Sequence, residues 1–199
     1  MPQHSVVLES PWKRIKLGPP SVKFNEDVAR CRAHPRTRQY LPFLPEVVTA
    51  EDIQHRMETR AEDPKIMDFY IFLTEDNSTE KFAGNTGYFN IDHTHASCEV
   101  GIVVSPDIHG KSIATETFYV LLQYIFEEQG FHRATFETGA DNVPMQRWFE
   151  NVAGIRKEGE RKECWKADGR YFDVMSYAVL DWEWKGRVKS SLAKRLNAI

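Results

Sequence analysis

The segment from Glu99 to Glu116 holds the residue types best suited to binding an anionic ligand. An apolar, β-branched stretch ends at Val104, and Pro106, Gly110 and Lys111 then lead into a long apolar helix. The first amides of a helix have no intrahelical acceptor, and the helix dipole adds partial positive charge there. The segment therefore predicts a phosphate or pyrophosphate site. An ordinary strand-to-helix connection is the alternative, because neither GxxxxGK[ST] nor GxGxxG is present.

The elements that must position this segment follow from hydrophobic periodicity and from glycine and proline breaks. A helix over 111–129 is predicted from a one-sided apolar pattern, and shorter helices are predicted over 25–32, after Thr49 and after Asn142. Strands are predicted over 12–17, 68–74, 82–91, 98–104 and 133–138, with a hairpin of 156–165 and 171–182 around Asp168-Gly169. This order predicts an α/β (α+β) fold built around a largely antiparallel sheet.

The composition restricts the class of protein. The chain has 199 residues, 41% of them hydrophobic, and a formal net charge of -3. This length suits one domain, and the charge is unlike the basic excess of nucleic-acid binders. Three scattered cysteines form neither a disulfide framework nor a zinc motif. Without a leader-like N-terminus or a long apolar run, we expect a soluble, cytoplasmic protein that binds neither nucleic acid nor membrane.

The stretch PDIHGKSIATE resembles the acetyl-CoA loop of the GCN5-related N-acetyltransferase (GNAT) superfamily, in particular the branch that acetylates ribosomal-protein N-termini. That branch shows Glu-Ile-Gly, a proline, Gln/Arg-x-x-Gly-x-Gly/Ala and Thr-Glu. The matching residues here are Glu99-Val-Gly, Pro106, His109-Gly-Lys-Ser-Ile-Ala, Thr115-Glu116, Asn142, Gly154-Ile155, Glu158-Gly159, Gly169, Asp173, Tyr177 and Leu180-Asp-Trp-Glu-Trp. The resemblance implies one domain over 1–184 with a mostly antiparallel, splayed central sheet flanked by helices.

The resemblance also implies a reaction, in which an acetyl group moves from acetyl-CoA, as co-substrate, to a primary amine by direct attack in a ternary complex. The implied cofactor-binding residues are Ile102, Val103, Val104, His109, Gly110, Lys111, Ser112, Ile113, Ala114 and Asn142. Glu99 is the implied base for the incoming ammonium. His109 and Ser112 depart from the family's Gln/Arg and glycine. Met145 and Phe149 replace a serine and a tyrosine whose hydroxyls would protonate the thiolate, so the general acid is unassigned.

The acceptor side is implied to lie near residues 30–45 and 160–175, with Arg36 and Tyr40 as candidate substrate contacts. Arg32 and Arg38 lie in the same region, and together these cations indicate an acceptor that bears a carboxylate. A solvated arginine cluster is the alternative. A peptide N-terminus, an amino acid and a small amine all remain possible acceptors.

Other chemical side chains have plainer interpretations. Glu99 is also compatible with a surface carboxylate, and Asn142 is first of all a helix cap. His93 and His95 lack a third ligand nearby in sequence, so no metal site is expected. Cys98 alternates with Glu99 on its strand, and we expect a core thiol rather than a nucleophile. A non-catalytic acyl-CoA-binding or protein-interaction module is the competing function.

Residues 185–199 form a basic tail with a thin apolar stripe at Val188, Leu192 and Leu196. The spacing predicts a helix. A solvated helix, or one packed on its own domain, is favoured over a contact with a second copy or an anionic surface, because the stripe is narrow. A monomer and a homodimer are both compatible with the sequence.

Overall fold

A computed structural model describes residues 3–74 and 80–198. Within these ranges the strands form one sheet with the order β1-β2-β3-β4-β5-β6-β8-β7. The strands are β1 (Leu8–Glu9), β2 (Ile15–Gly18), β3 (Met67–Leu73), β4 (Lys81–Asp92), β5 (Ser97–Val104), β6 (Arg133–Gly139), β7 (Arg156–Ala167) and β8 (Arg170–Leu180). Every neighbouring pair is antiparallel except β5 and β6. A polar turn predicted near residues 75–80 lies outside the described residues, apart from Glu80.

Helices cover both faces of this sheet. They are α1 (Asn25–Ala33), α2 (Pro35–Arg38), α3 (Ala50–Ala61), α4 (Ile113–Gln123), α5 (Val143–Arg147), α6 (Asp181–Glu183) and α7 (Lys189–Asn197). The helices α4, α5 and α6 each continue into a π-helical segment, over Tyr124–Glu128, Trp148–Ala153 and Trp184–Val188. Thr49 and Asp52 form a capping box at the start of α3, so this helix begins where the sequence predicts.

The parallel pair β5 and β6 gives the fold its functional shape. Its register covers only Ser97–Glu99 of β5 against Arg133–Thr135 of β6, and Thr135 Oγ1 donates to the Cys98 carbonyl at 3.2 Å. Beyond these residues the strands separate, because β5 stays paired with β4 while β6 stays paired with β8. The predicted mixed α/β fold, with a mostly antiparallel, splayed sheet flanked by helices, is confirmed.

Two apolar layers hold the helices to the sheet. The larger layer joins α4, α5 and the C-terminal helices to one face, and its fully buried side chains include Phe118, Phe136 and Phe149. The smaller layer lies under α1 and α3 on the other face. It consists of Phe24, Val28, Ala29, Ile53, Tyr70 and Phe72. Cys98 is buried in the larger layer, where burial raises the pKa of its thiol to about 12.

The C-terminal segment packs on its own domain. Val188, Leu192 and Leu196 are buried, and α7 contacts α4. The carboxylate of Glu183 is buried and pairs with Arg156 of β7 at 3.0 Å, which ties this segment to the sheet. The narrow apolar stripe therefore covers the larger layer, and the basic side chains between its residues remain at the surface.

The structure adds detail at the boundaries of several predicted elements. The helix predicted over 25–32 ends at Ala33, directly before the His34–Pro35 step, as expected. Pro35 then occupies the first turn of a new helix, α2, where it loses no hydrogen bond and His34 caps the helix by accepting from Arg36 N. The strand β8 was expected to reach Trp182, but it ends at Leu180 because Glu183 caps a new helical turn there. No helix of the described chain is long and apolar enough to cross a membrane.

Candidate active site

A cleft of about 540 Å³ fills the gap between the separated strands. Its walls are residues 100–104 of β5, residues 136–138 of β6, the start of α4 and one side of α5. Residues of α2 and the segment after it close one end. Apolar side chains thus line a channel that passes from one face of the sheet to the other, and polar groups lie at its two ends.

The loop before α4 forms the first end of the cleft. Gly110 has φ of 84°, and no atom lies within 4 Å of the position where a Cβ would stand. Ser112 also takes the left-handed conformation, with φ of 57° and ψ of 18°, and it caps α4 without a side-chain hydrogen bond. The amides of Ile113 and Ala114 follow directly, in the first turn where helical amides have no intrahelical acceptor. This arrangement presents backbone donors to an anion.

The predicted cofactor residues mostly come together here. The residues that line the cleft are Ile102, Val103, Val104, His109, Gly110, Ser112, Ile113, Ala114 and Asn142. Lys111 is exposed beside the cleft and outside its lining. His109 Nε2 lies 3.0 Å from the Val104 carbonyl oxygen, so its ring joins the loop to the end of β5. His109 therefore shapes the loop through the backbone of the strand it follows.

Asn142 fixes α5 at the wall of the cleft. Its Oδ1 accepts from the Met145 amide at 3.2 Å, and its Nδ2 donates to Thr138 Oγ1 at 2.9 Å. These bonds cap α5 and join it to the end of β6. Each polar atom of the side chain has one protein partner, which leaves one N–H and one lone pair for a ligand.

The positions expected to supply an acid carry no hydroxyl. Phe149 is 2% exposed, and its ring stacks on Tyr177 with a centroid distance of 4.6 Å. The Tyr177 hydroxyl donates to Glu150 at 2.8 Å, and burial raises the pKa of this phenol. Met145 also lines the cleft. The hydroxyls that do line it include those of Tyr40 and Thr138.

Two carboxylates lie near the point where β5 and β6 separate. Glu99 is the last β5 residue paired with β6, and Asn90 Nδ2 donates to its Oε2 at 2.9 Å. The cleft lining begins one residue later, at Val100. Glu137 of β6 lines the cleft itself and pairs with Arg161 of β7. Sequence reasoning did not consider Glu137, because nothing local distinguishes it from other strand carboxylates.

The second end of the cleft is formed by α2. Arg36 and Tyr40, the predicted acceptor contacts, both line it. Arg38 lies apart from them, since its guanidinium donates to the Leu44 carbonyl and pairs with Glu46 at 2.9 Å. The arginines that appear as one cluster in the sequence are thus separated into different surroundings.

A family comparison agrees with this geometry. A family model described as the acetyltransferase (GNAT) domain matches residues 14–153, a range that includes the splayed strands and the loop before α4. The chain belongs to the GNAT acetyltransferases. The resemblance read from the sequence is therefore confirmed, and the chain is an enzyme of this acetyltransferase family.

Individual GNAT relatives show how far the similarity extends. The chain is 26% identical over 144 residues to the uncharacterized N-acetyltransferase YnaD of Bacillus subtilis, covering 72% of this chain and 82% of YnaD. It is 26% identical over 116 residues to the spermidine N(1)-acetyltransferase of Vibrio cholerae, covering 58% and 66%. The crystal structure of a GNAT-family acetyltransferase from Bacillus anthracis superposes with a TM-score of 0.73 at 25% identity, covering 88% of this chain and 99% of that one.

One lining residue comes from outside the range matched by the GNAT model. Arg195 of α7 lies at the rim of the cleft, near the start of α4, because α7 packs against α4. Its side chain is exposed, and no carboxylate of the described chain pairs with it. The basic composition of residues 185–199 was its only signal in the sequence, and this composition did not indicate which cation reaches the site.

Proposed function

We propose that this GNAT enzyme transfers an acetyl group from acetyl-CoA to a primary amine within a ternary complex. The observation that carries the proposal is a single cleft with two different ends. The loop before α4 and the first turn of α4 line one end, and residues of α2 line the other. The two substrates then approach from opposite ends and meet between the strands, so proximity supplies much of the rate enhancement.

The cofactor half of the proposal rests on backbone groups. Acetyl-CoA would supply an activated thioester, with its pyrophosphate at the amides of 112–114 and its arm along β5. In the described chain, the edge of β5 that faces β6 has no strand partner from Val100 onward, so peptide groups on this edge are available to the arm. An amide between Ile102 and Val104 would donate to the thioester carbonyl as negative charge develops there. Arg195 would add a cation near the phosphates.

The acceptor half needs a base and no covalent intermediate. A base first takes one proton from the ammonium group, and the free amine then forms the new bond to the acetyl carbon. The carbon–sulfur bond breaks, and the nitrogen releases its second proton to water. We propose Glu99 as the base, through a water molecule, with Glu137 as the alternative because it lines the cleft. A thiol has a pKa near 8.5, so the leaving thiolate can take a proton from water.

Two measurements test the proposal. At about 100 times its Kd, acetyl-CoA is expected to stabilise the protein by about 2.7 kcal/mol, a rise in Tm of about 5–10 °C. Release of free thiol in the presence of an amine panel tests turnover. Glu99→Gln and Glu137→Gln, compared side by side, identify the base, since the correct variant loses kcat at neutral pH and the other does not.

Binding without turnover on any amine would support an acyl-CoA-binding module instead. The absence of a hydroxyl at Met145 and Phe149 is the observation that favours this second function. Absence of any rise in Tm with acetyl-CoA would exclude both functions.

A further inference from the structure

A second cavity lies beside the cleft, on the face of the sheet that α1 and α3 cover. Its volume is about 30 Å³. Its polar lining consists of Arg32 from α1, Arg56 from α3, and Asp68, Tyr70, Asn85 and Thr86 from the sheet. A water molecule needs roughly 10–15 Å³ of such space, so the cavity has room for a group of carboxylate size.

The charges around this cavity do not balance within the described chain. Arg60 donates to Asp68 through Nε at 2.6 Å and through Nη2 at 2.7 Å. This bidentate pair occupies both oxygens of the one carboxylate that lines the cavity. Arg32 and Arg56 form no ion pair with a carboxylate of residues 3–74 and 80–198. Two guanidinium groups therefore lie at the cavity without a carboxylate of their own in the described chain, and the charge of Asp68, which attracts both, is already paired with Arg60.

The surroundings make these cations costly to leave unpaired. Burial, together with repulsion from Arg32 and Arg60, lowers the pKa of Arg56 to about 10. Burial and the charge of Arg60 likewise lower the pKa of Arg32. Both groups still carry their charge at neutral pH. An anion placed between them would relieve the repulsion and accept charge-assisted hydrogen bonds.

The cavity is also close to the proposed reaction centre. Asn85 and Thr86 are the register partners of Val103 and Ile102, whose strand lines the cleft. Neighbouring strands lie about 4.8 Å apart, which a few covalent bonds can span. The Thr86 hydroxyl donates to the Gly101 carbonyl at 2.8 Å, whereas the buried Asn85 Oδ1 has no hydrogen-bond partner in the described chain. Asn85 is thus free to accept from a donor on a bound ligand.

From this arrangement we infer that the acceptor is an amine that also carries a carboxylate, such as a free amino acid, with the carboxylate held by Arg32 and Arg56 beside the unpaired Asn85 oxygen. The inference rests on the proposed acetyl transfer and specifies its substrate class. A polyamine such as spermidine fits poorly, because Arg32 and Arg56 would repel its positive charges. A long peptide acceptor lacks the adjacent carboxylate that this small cavity would hold.

The test is an acetylation assay on the twenty standard L-amino acids, the matching amino-acid amides and spermidine. The preferred amino acid is expected to exceed its amide in kcat/KM by about 10- to 100-fold, since the amide lacks the charge that both arginines bind. Arg32→Met and Arg56→Met keep the aliphatic stem. Each is expected to raise KM for the amino acid by about tenfold or more while leaving turnover of the amide within about twofold.

Arg30→Met is the matched control, because Arg30 is on the same helix, exposed and paired with Asp27. It is expected to behave as the unchanged protein. If amides or spermidine are acetylated as well as amino acids, the inference is overturned while acetyl transfer stands.

If no amine is acetylated, the proposed function fails, and binding decides the inference separately. The amino acids are then added to protein saturated with CoA, and Tm is measured. A rise in Tm that is lost in Arg32→Met and Arg56→Met supports the carboxylate site, and the absence of a rise in the unchanged protein overturns it.

Discussion

Ser112 carries a backbone conformation that favours glycine, and replacing it tests how the loop before α4 works. Its φ of 57° lies in the left-handed region, which costs a residue with a Cβ roughly 1–2 kcal/mol. Ser112→Gly removes this cost, but it also makes the unfolded chain more flexible, which lowers the free energy of unfolding by roughly 0.4–1 kcal/mol. The expected net gain in unfolding free energy is roughly 0.5–1 kcal/mol, or a Tm higher by about 1–4 °C.

The assay combines thermal unfolding with titration of acetyl-CoA. Ser112→Gly is expected to bind acetyl-CoA as tightly as before, or more tightly, because the serine side chain gives no hydrogen bond to the helix start and a glycine lets an anion approach. The reverse change, Gly110→Ala, is the matched control. At φ of 84° with no neighbouring atoms, its penalty of about 1 kcal/mol comes from the backbone alone.

A fall in Tm for Ser112→Gly would refute the strain argument. An acetyl-CoA Kd weakened by more than about tenfold would show that the hydroxyl itself binds the ligand, since tenfold corresponds to roughly 1.4 kcal/mol, the value of one good hydrogen bond.

Three further changes test other parts of the structure. Arg195→Ala is expected to weaken acetyl-CoA binding by about two- to fivefold, because an exposed charge contributes little. Lys194→Ala, which lies outside the cleft, is expected to leave the Kd unchanged. Isothermal titration calorimetry compares the two variants. Glu116 is fully buried, and its Oε2 lies 2.5 Å from Arg14 Nη2 without a well-aligned hydrogen bond. Glu116→Gln is therefore expected to lower the free energy of unfolding by about 2 kcal/mol. Urea denaturation measures this, and an unchanged midpoint would contradict it. Hydrogen bonds from the Arg133 guanidinium on β6 lower the pKa of Glu158 below 4.5. The stabilising contribution of Glu158 is therefore present above pH 4.5 and is lost as the pH falls through its lower pKa in the folded state. The Tm difference from Glu158→Gln should then vanish in acid, and a constant difference would refute the pairing.

Much of the fold could be predicted because its signals are local. The apolar face of α4, the capping box at Thr49 and the Asp168-Gly169 turn each determine an element from a few adjacent residues. The loop at 109–112 could likewise be predicted, since the backbone donors of a helix start after a glycine are determined by adjacent residues. The proposed anion site rests on this local chemistry, and the family resemblance suggested which anion.

The rest depends on residues that are distant in sequence. Arg56 lies 24 positions after Arg32, and only the packing of α3 on α1 brings both to one cavity. Arg195 reaches the cleft because α7 docks on α4. The separation of Arg36 from Arg38 depends on Glu46, which pairs with Arg38 away from the cleft lining. Composition identified the cations but could not assign them to partners.

The aromatic contacts beneath the cleft explain why position 149 does not carry a hydroxyl. Phe149 is packed between Phe136, at a centroid distance of 5.2 Å, and Tyr177, at 4.6 Å. These rings fill the space under the separated strands, where β5 and β6 no longer hold each other. A hydroxyl inside this packing would need its own partner, at a cost of roughly 1–3 kcal/mol if it had none. The chain places its buried hydroxyl at Tyr177, where Glu150 accepts from it, so the aromatic residues at this side of the cleft need no further hydrogen-bond partner.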